Sequence, residues 1–338
     1  MYAIRLHAHG PAENLVHERV PTPRPAPGQV RIAVAAAGVH LVDTALREGL
    51  PGPFPAPPLP TVPGREVAGT VDALGAGTDP SWLGRRVVAH FGMPAPGAPP
   101  LAGGYAEYAV VDAGRLHALP DRLGAAEAVA MVGTGRTALG ILQFADAGPG
   151  TVAIVPAAAG GIGTLLVQHL KHAGATVVGL AGGPGKTGRV RANGADLAVD
   201  YRRDDWSRGV RAFLGERRAD VVFDSVGGGV GRAAVDLLGP GGLHLVFGWS
   251  GEGLRDGGPL TFTEEELSAR GITSTIVLGP PMLRKAGGDL RVLETRALDA
   301  AASGVLRPAV QHYPLAQAAE AHRDLETRAT VGKVVLEP

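Results

Sequence analysis

The most chemically informative passage is a run of small residues between an apolar strand and a helix. Thr151–Pro156 reads as a buried strand, the small residues after it as a turn, and Ile162–Ala173 as a helix in which Ile162, Leu166, Leu170 and Ala173 recur on one face before Gly174 stops it. The turn fits A-x-G-x-x-G, a variant of the dinucleotide fingerprint in which Ala158 takes the place of the first glycine. Gly160 lets backbone approach a pyrophosphate, and Gly163 lets the helix close onto the strand. The N–H groups and positive dipole end at the helix start then face an anion. The cradle expected from these residues is Ala158, Ala159, Gly160, Gly161, Ile162 and Gly163. Any glycine-rich turn can match such a motif; a strand before it and a helix after it make phosphate binding the better reading.

The next strand, Thr176–Leu180, runs into Ala181-Gly182-Gly183-Pro184-Gly185-Lys186. NAD-binding folds place an acidic residue about 20 residues past the glycine turn, where it binds the ribose diol. None stands here, and Lys186 is placed to attract a 2′-phosphate, which favours NADPH. The competing reading of Lys186 is a solvated lysine at a helix start.

These residues need a scaffold, and the chain is long enough to build one. At 338 residues it suggests two domains. A hydrophobic content of 45% and a charged content of 19% describe a globular protein. With 32 basic and 32 acidic residues there is no surplus to hold a phosphate backbone, so nucleic acid and anionic membrane are disfavoured as partners. Cysteine is absent, which removes disulfides, thiolate-held zinc, iron–sulfur clusters and a thiol nucleophile. No signal peptide is read at Met1–Leu6 and no apolar run approaches the ~18 residues of a membrane span, so a cytoplasmic protein is expected.

The first third is Pro- and Gly-punctuated, with short apolar runs at Val30–Ala37, Val67–Val71, Arg86–Ala89 and Tyr105–Val111, and reads as β-rich. Leu50–Pro63 and Phe91–Ala102 read as long loops. Beyond Pro120, helical segments at Ala125–Met131 and Thr137–Phe144 lead into alternating strands and helices. Strands are expected at Asp220–Asp224, Leu243–Phe247 and Ser274–Leu278, with a helix at Gly231–Leu238. That alternation predicts an α/β fold with a doubly wound parallel sheet.

A series of motifs points further: Gly64-x-Glu66-x-Ala68-Gly69, Gly103-Gly104-Tyr105-Ala106-Glu107-Tyr108, Ala157–Gly163, Gly194-Ala195-Asp196, Asp200-Tyr201, Phe223-Asp224-Ser225-Val226-Gly227, Phe247-Gly248-Trp249-Ser250-Gly251 and Arg328-Ala329-Thr330-Val331-Gly332-Lys333. Together, in order and over essentially the whole chain, they resemble the zinc-free quinone oxidoreductase (zeta-crystallin-like) branch of the medium-chain dehydrogenase/reductase family. The resemblance implies a GroES-like β-rich catalytic domain (1–125 with 283–338) and a Rossmann domain binding NADPH (126–282). It also implies a cofactor cleft between them and a homodimer. Around the 2′-phosphate it implies Lys186, Tyr201 and Arg328; near the cofactor, Thr137, Gly182, Ser225, Phe247 and Gly248; near the nicotinamide, Val277 and Leu278. Two cations and a phenol suit a phosphate. For Thr137 the alternative is a helix N-cap, for Asp224 a strand-end cap, and Tyr105 and Tyr108 are expected to pack between domains.

Zinc-dependent relatives carry Cys at the position of His40 and His at that of Arg65. A guanidinium has no lone pair to offer, so no metal is expected. Without a Lewis acid the accessible reaction is hydride addition to a conjugated acceptor, the protein supplying orientation and exclusion of water. A quinone is the first expectation; an NADPH-dependent enone or alkenal reductase and a non-catalytic NADPH-binding protein are the alternatives. The chain departs from the branch at His40, where Asn is usual, and at Pro51, where a Tyr is usual, with Phe54 as a partial substitute. His40 is the candidate catalytic residue, a proton donor to the acceptor; its alternative is binding or packing. Asp43, Arg47 and Arg65 are expected either at a polar rim or, as the preferred reading, in a structural ion-pair cluster.

Overall fold

The structure is a computed structural model that describes residues 1–50, 58–92, 103–253 and 257–338. Pro51 and Phe54, singled out above, lie outside them. The chain folds into two compact units: residues 1–134 with 297–304 and 308–338, and residues 135–296 with 305–307. These borders, at 134/135 and 296/297, differ from the expected 125/126 and 282/283.

The first unit is a β-structure. Its elements are β1 (Tyr2–Leu6), β2 (Leu15–Arg19), β3 (Gln29–Val39), α1 (Leu41–Glu48), β4 (Glu66–Leu74), β5 (Arg86–His90), β6 (Tyr108–Asp112), β7 (Leu116–Ala118) and α2 (Ala125–Val129). The long β3 is antiparallel to β4 and β6, and two register shifts bend it, at Arg31/Ile32 and Val34/Ala36. Alternation along β3 and β4 sends Val30, Ile32, Val67 and Val71 into one apolar core with Ile4, Leu6 and Leu336.

The second unit follows a π-helical turn at Ala130–Gly135 that links α2 to α3 (Arg136–Leu142), so the two helices expected there are parts of one helical stretch. Strands and helices then alternate: β8 (Val152–Val155), α4 (Gly161–His172), β9 (Thr176–Ala181), α5 (Pro184–Ala192), β10 (Leu197–Asp200), α6 (Trp206–Leu214), β11 (Ala219–Asp224), α7 (Gly228–Val235), β12 (Leu238–Val246), α8 (Glu264–Arg270), β13 (Thr273–Ile276) and α9 (Pro280–Lys285). The sheet runs β10-β9-β8-β11-β12-β13, every neighbouring pair parallel. This is the doubly wound order, with the strand sequence reversing between β8 and β11. β12 starts earlier than expected because a register shift lets Leu238 pair with Ala219 ahead of Leu243 with Val221. For the same reason α7 ends at Val235 rather than Leu238.

α10 (Arg291–Ala302) leads back to the first unit, where β14 (Val310–Pro314), α11 (Ala318–Glu326) and β15 (Lys333–Glu337) complete the sheet, β15 pairing with β3 through Val334↔Val39 and Leu336↔Ala37. Among the described residues no helix is long and apolar enough to cross a membrane.

Candidate active site and cofactor cradle

In the parallel-sheet unit the expected cofactor residues share one address, just beyond the carboxyl ends of strands. Ala158–Gly163 follow β8, Gly182 and Lys186 follow β9, Tyr201 follows β10, Ser225 follows β11, Phe247 and Gly248 follow β12, and Val277 and Leu278 follow β13. In an open α/β sheet this edge, at the reversal of strand order, is where ligands bind. Thr137 sits inside α3 and not at its start, because the π turn continues the helix through the expected cap position.

The glycine turn is tightly folded. Ala157 has φ +51°, one of two non-glycine residues in left-handed backbone among those described, so the strained position is Ala157 rather than Ala158, which stands at the first-glycine position. A Cβ on Gly163 would collide with the Ala157 carbonyl and stand 2.7 Å from the Ala158 Cα, which explains glycine there. By helix geometry the N–H groups of Gly161, Ile162 and Gly163 have no acceptor within α4. These features fit a dinucleotide pyrophosphate. A second close approach lies past β11: a Cβ on Gly248 would stand 2.9 Å from the Ser225 carbonyl, and Gly251 N–H donates to the Val226 carbonyl at 2.7 Å. Asp224 caps its strand, accepting from the N–H groups of Val226 (2.8 Å) and Gly227 (2.9 Å).

Past β9 and β10 the structure adds residues that the sequence reading missed. A Cβ on Gly182 would stand 3.2 Å from the Tyr201 hydroxyl, so the phenol overhangs this turn. Arg202 lies across Gly183, its Nε and Nη2 each 3.1 Å from the two oxygens of Asp200. The Arg202 guanidinium, aided by the Gly183 N–H, holds the Asp200 carboxyl down at about 2. A carboxylate therefore does reach this turn, from β10 rather than from β9, with its charge paired to a cation. The adjacent Asp-Tyr-Arg run was the available signal, and only the tyrosine was read for chemistry.

The β-rich unit holds a second polar centre. His40 precedes α1, and its backbone N–H donates to Asp43 Oδ2 at 2.8 Å. Its Nε2 lies 2.8 Å from Oε1 of Glu66, the first residue of β4, and Lys333 Nζ, from the first residue of β15, lies 2.7 Å from the same oxygen. Glu66 is completely buried, the Lys333 side chain is 5% exposed and the His40 side chain 20%. Arg65 Nε is 3.3 Å from Asp43 Oδ1. Burial alone would raise Glu66, but His40 and Lys333 outweigh it and hold the carboxyl well below its usual range. Burial pushes His40 down; Glu66 opposes that, and Lys333 and Arg65 reinforce it. Burial likewise lowers Lys333 against the pull of Glu66.

Asp43 extends the network, its carboxyl held low by Arg65 and His40 despite burial. Its Oδ2 accepts from the Tyr105 hydroxyl at 3.1 Å, and that hydroxyl lies 3.2 Å from His322 Nε2. Since Tyr105 gives its one proton to an ionised carboxylate, His322 must carry its proton on Nε2. The Tyr105 hydroxyl is committed inside the β-rich unit, and the ring is fully buried. Tyr108 stacks under the Arg31 guanidinium at 5.2 Å. Arg47 belongs to a separate structural cluster, bonded to the Gly10 carbonyl and paired with Glu48 and Glu326.

Two family models match the chain, an alcohol dehydrogenase GroES-like domain over residues 26–121 and a zinc-binding dehydrogenase over 193–336. A 2-haloacrylate reductase from Burkholderia sp. is 32% identical over 98% of this chain and 98% of its own length. A quinone oxidoreductase from Pseudomonas aeruginosa is 32% identical over 99% of each. The chain belongs to the zeta-crystallin-like quinone oxidoreductase branch of the medium-chain dehydrogenase/reductase family. It is an oxidoreductase. Among solved structures, the Escherichia coli quinone oxidoreductase complexed with NADPH superposes with a TM-score of 0.83 at 28% identity, and an NAD-dependent alcohol dehydrogenase with 0.86 at 30%, each covering 100% of both chains.

Within this family the His40 centre has a definite chemical character. Arg65 offers no lone pair and pairs with Asp43, so the residues at these positions form a balanced set of charges: Glu66 and Asp43 against Lys333 and Arg65. The imidazole, neutral at neutral pH and partly exposed, is the group in that set able to gain and lose a proton. That is the property of a general acid.

Proposed function

We propose that the protein is an NADPH-dependent, zinc-independent reductase of conjugated acceptors, with a quinone as acceptor and His40 as proton donor. In this reading the parallel-sheet unit is the NADPH domain and the β-rich unit, with its C-terminal return, the catalytic domain. The observation that carries it is the cradle past β8, β9 and β10, whose helix start and cations at Lys186 and Arg202 suit a phosphorylated dinucleotide. Arg328, in the β-rich unit, is the remaining cation of the reading. NADPH supplies the hydride. Val277 and Leu278 give the nicotinamide an apolar wall that excludes water, and Thr137, Ser225, Phe247 and Gly248 orient it. The acceptor is a small molecule and the working form a homodimer, which light scattering would check.

A second reading has its own support. Reduction of an activated carbon–carbon double bond needs a proton at the α-carbon, whereas a quinone needs little acid assistance. In this reading the His40 imidazole is that acid, and a relative of 32% identity, a 2-haloacrylate reductase, supports it. NADPH and NADH oxidation measured against a panel of quinones, enones and 2-haloacrylate decides. Turnover with quinones alone supports the first reading and turnover with unsaturated acids or enones the second. Binding of NADPH without turnover of any would overturn both. His40→Ala is expected to lower turnover of an enone or unsaturated acid by roughly a hundredfold, the scale of a general acid, and that of a quinone much less, with NADPH affinity unchanged.

A further inference from the structure

Two basic groups, an imidazole and an ammonium, crowd one oxygen of Glu66. His40 Nε2 stands at 2.8 Å and Lys333 Nζ at 2.7 Å from Oε1. Charge and hydrogen bonding both couple the carboxylate to the two groups. The position is built: a Cβ on Gly38 would collide with Oε1 and one on Gly133 with Oε2, so both glycines make room for the carboxylate. β3, β4, β15 and the π turn all converge on it.

A buried carboxylate facing histidine alone would hold the ring as a cation and give a poor acid. A lysine on the same oxygen already compensates the carboxylate and removes that hold. We propose that Glu66 and Lys333 are opposed positioning residues for His40, Glu66 drawing the donated proton onto the imidazole and Lys333 driving it off. The inference rests on the reading of His40 as proton donor. In the reaction, hydride from NADPH forms the new bond at the acceptor, the acceptor's π pair takes the proton of His40, and the neutral ring regains a proton from water at its exposed edge. The other groups facing the ring are Arg65, which opposes its cation, and Asp43, which favours it; His90 on β5 acts on Glu66.

The test follows the His40 ring by NMR in 13C-histidine-labelled, NADP+-saturated protein, its signal assigned with His40→Gln, alongside pH profiles of kcat/KM for the acceptor. Glu66→Gln should move the His40 midpoint to lower pH and Lys333→Met to higher pH, with the limb on which the rate falls as pH rises moving the same way. A merely structural role predicts lost stability without opposite displacements. The double variant removes both charges at once, which avoids a lone buried ion, and should bring the midpoint back toward its starting value. If either single variant does not fold, the other and the double variant decide. Midpoints that move together, or not at all, overturn the proposal. If His40→Gln leaves the rate profile unchanged, His40 is not the donor, and the ring titration still reads the opposed pair.

Discussion

Dinucleotide choice comes down to a few charges past β9 and β10. Lys186 and Arg202 favour a 2′-phosphate, whereas Asp200, ionised at any assay pH because Arg202 holds it at about 2, repels one. Arg202 therefore acts twice, as a cation in its own right and as the partner that masks Asp200. Lys186→Ala should cost one charge-assisted contact, roughly 1.5–3 kcal/mol or about ten- to a hundredfold in NADPH affinity. Arg202→Ala should weaken NADPH and also strengthen NADH, because the freed carboxylate can accept from a ribose diol. Asp200→Asn should move the preference the opposite way. Dissociation constants for both dinucleotides, from fluorescence titration of each variant, check all three signs; equal constants in the unmodified protein would remove the phosphate-site assignment.

At the scale of elements, the strand–turn–helix at Val152–His172 carries the cradle, and its tightest point is Gly163. A methyl there meets backbone rather than a side chain that could swing aside, so Gly163→Ala must push α4 off the turn. The expected outcome is a lower melting temperature together with weaker NADPH binding; a variant with unchanged affinity would show that the helix start does not hold the phosphates. This unit was legible because its residues are contiguous: a buried strand, a small-residue turn and a 3.6-residue apolar repeat sit next to one another in the chain. The boundaries that shifted did so for non-local reasons, the β12 register shift by pairing with β11 and the helix at Ala125–Leu142 by a π turn. The His40 centre was legible only in part. His40 was named as the candidate proton donor and Asp43, Arg47 and Arg65 as an ion-pair cluster, but Glu66 was read as a motif letter and Lys333 as the end of another. Only the pairing of β15 with β3 brings Lys333 to Glu66 across more than two hundred positions of chain, and no local pattern encodes that.

For the molecule as a whole, charges balance to zero at pH 7 with the histidines neutral, so overall repulsion starts from zero and particular buried groups shape the first response to acid. His322 is the clearest. Burial lowers it to about 4, below the ~6.5 of an unfolded chain. Between those values the unfolded state binds the proton and the folded state does not, so stability is complete above about 6.5 and declines as pH falls toward 4. The contribution is on the order of 3 kcal/mol. Asp43 and Glu66, both held low, act in the same direction, but their share is lost only below the ordinary carboxylate range, so the two windows separate. The Tyr105 hydroxyl accepts from His322 and donates to Asp43, and protonating His322 at Nδ1 would place a charge where no partner stands within the described structure. Two units need not unfold together, so the measurement must report on the β-rich one: hydrogen exchange of the core amides of Ile32 and Val71, followed from pH 7.5 to 4. Protection corrected for intrinsic exchange should hold down to about 6.5 and then decline in the unmodified protein. In His322→Gln, which keeps a donor for Tyr105 but cannot titrate, the decline below 6.5 should be shallower, with His40, also lowered by burial, and the carboxylates left to carry it. Equal slopes between pH 6.5 and 4 in both proteins would remove His322 and leave the acid sensitivity to His40 and the carboxylates.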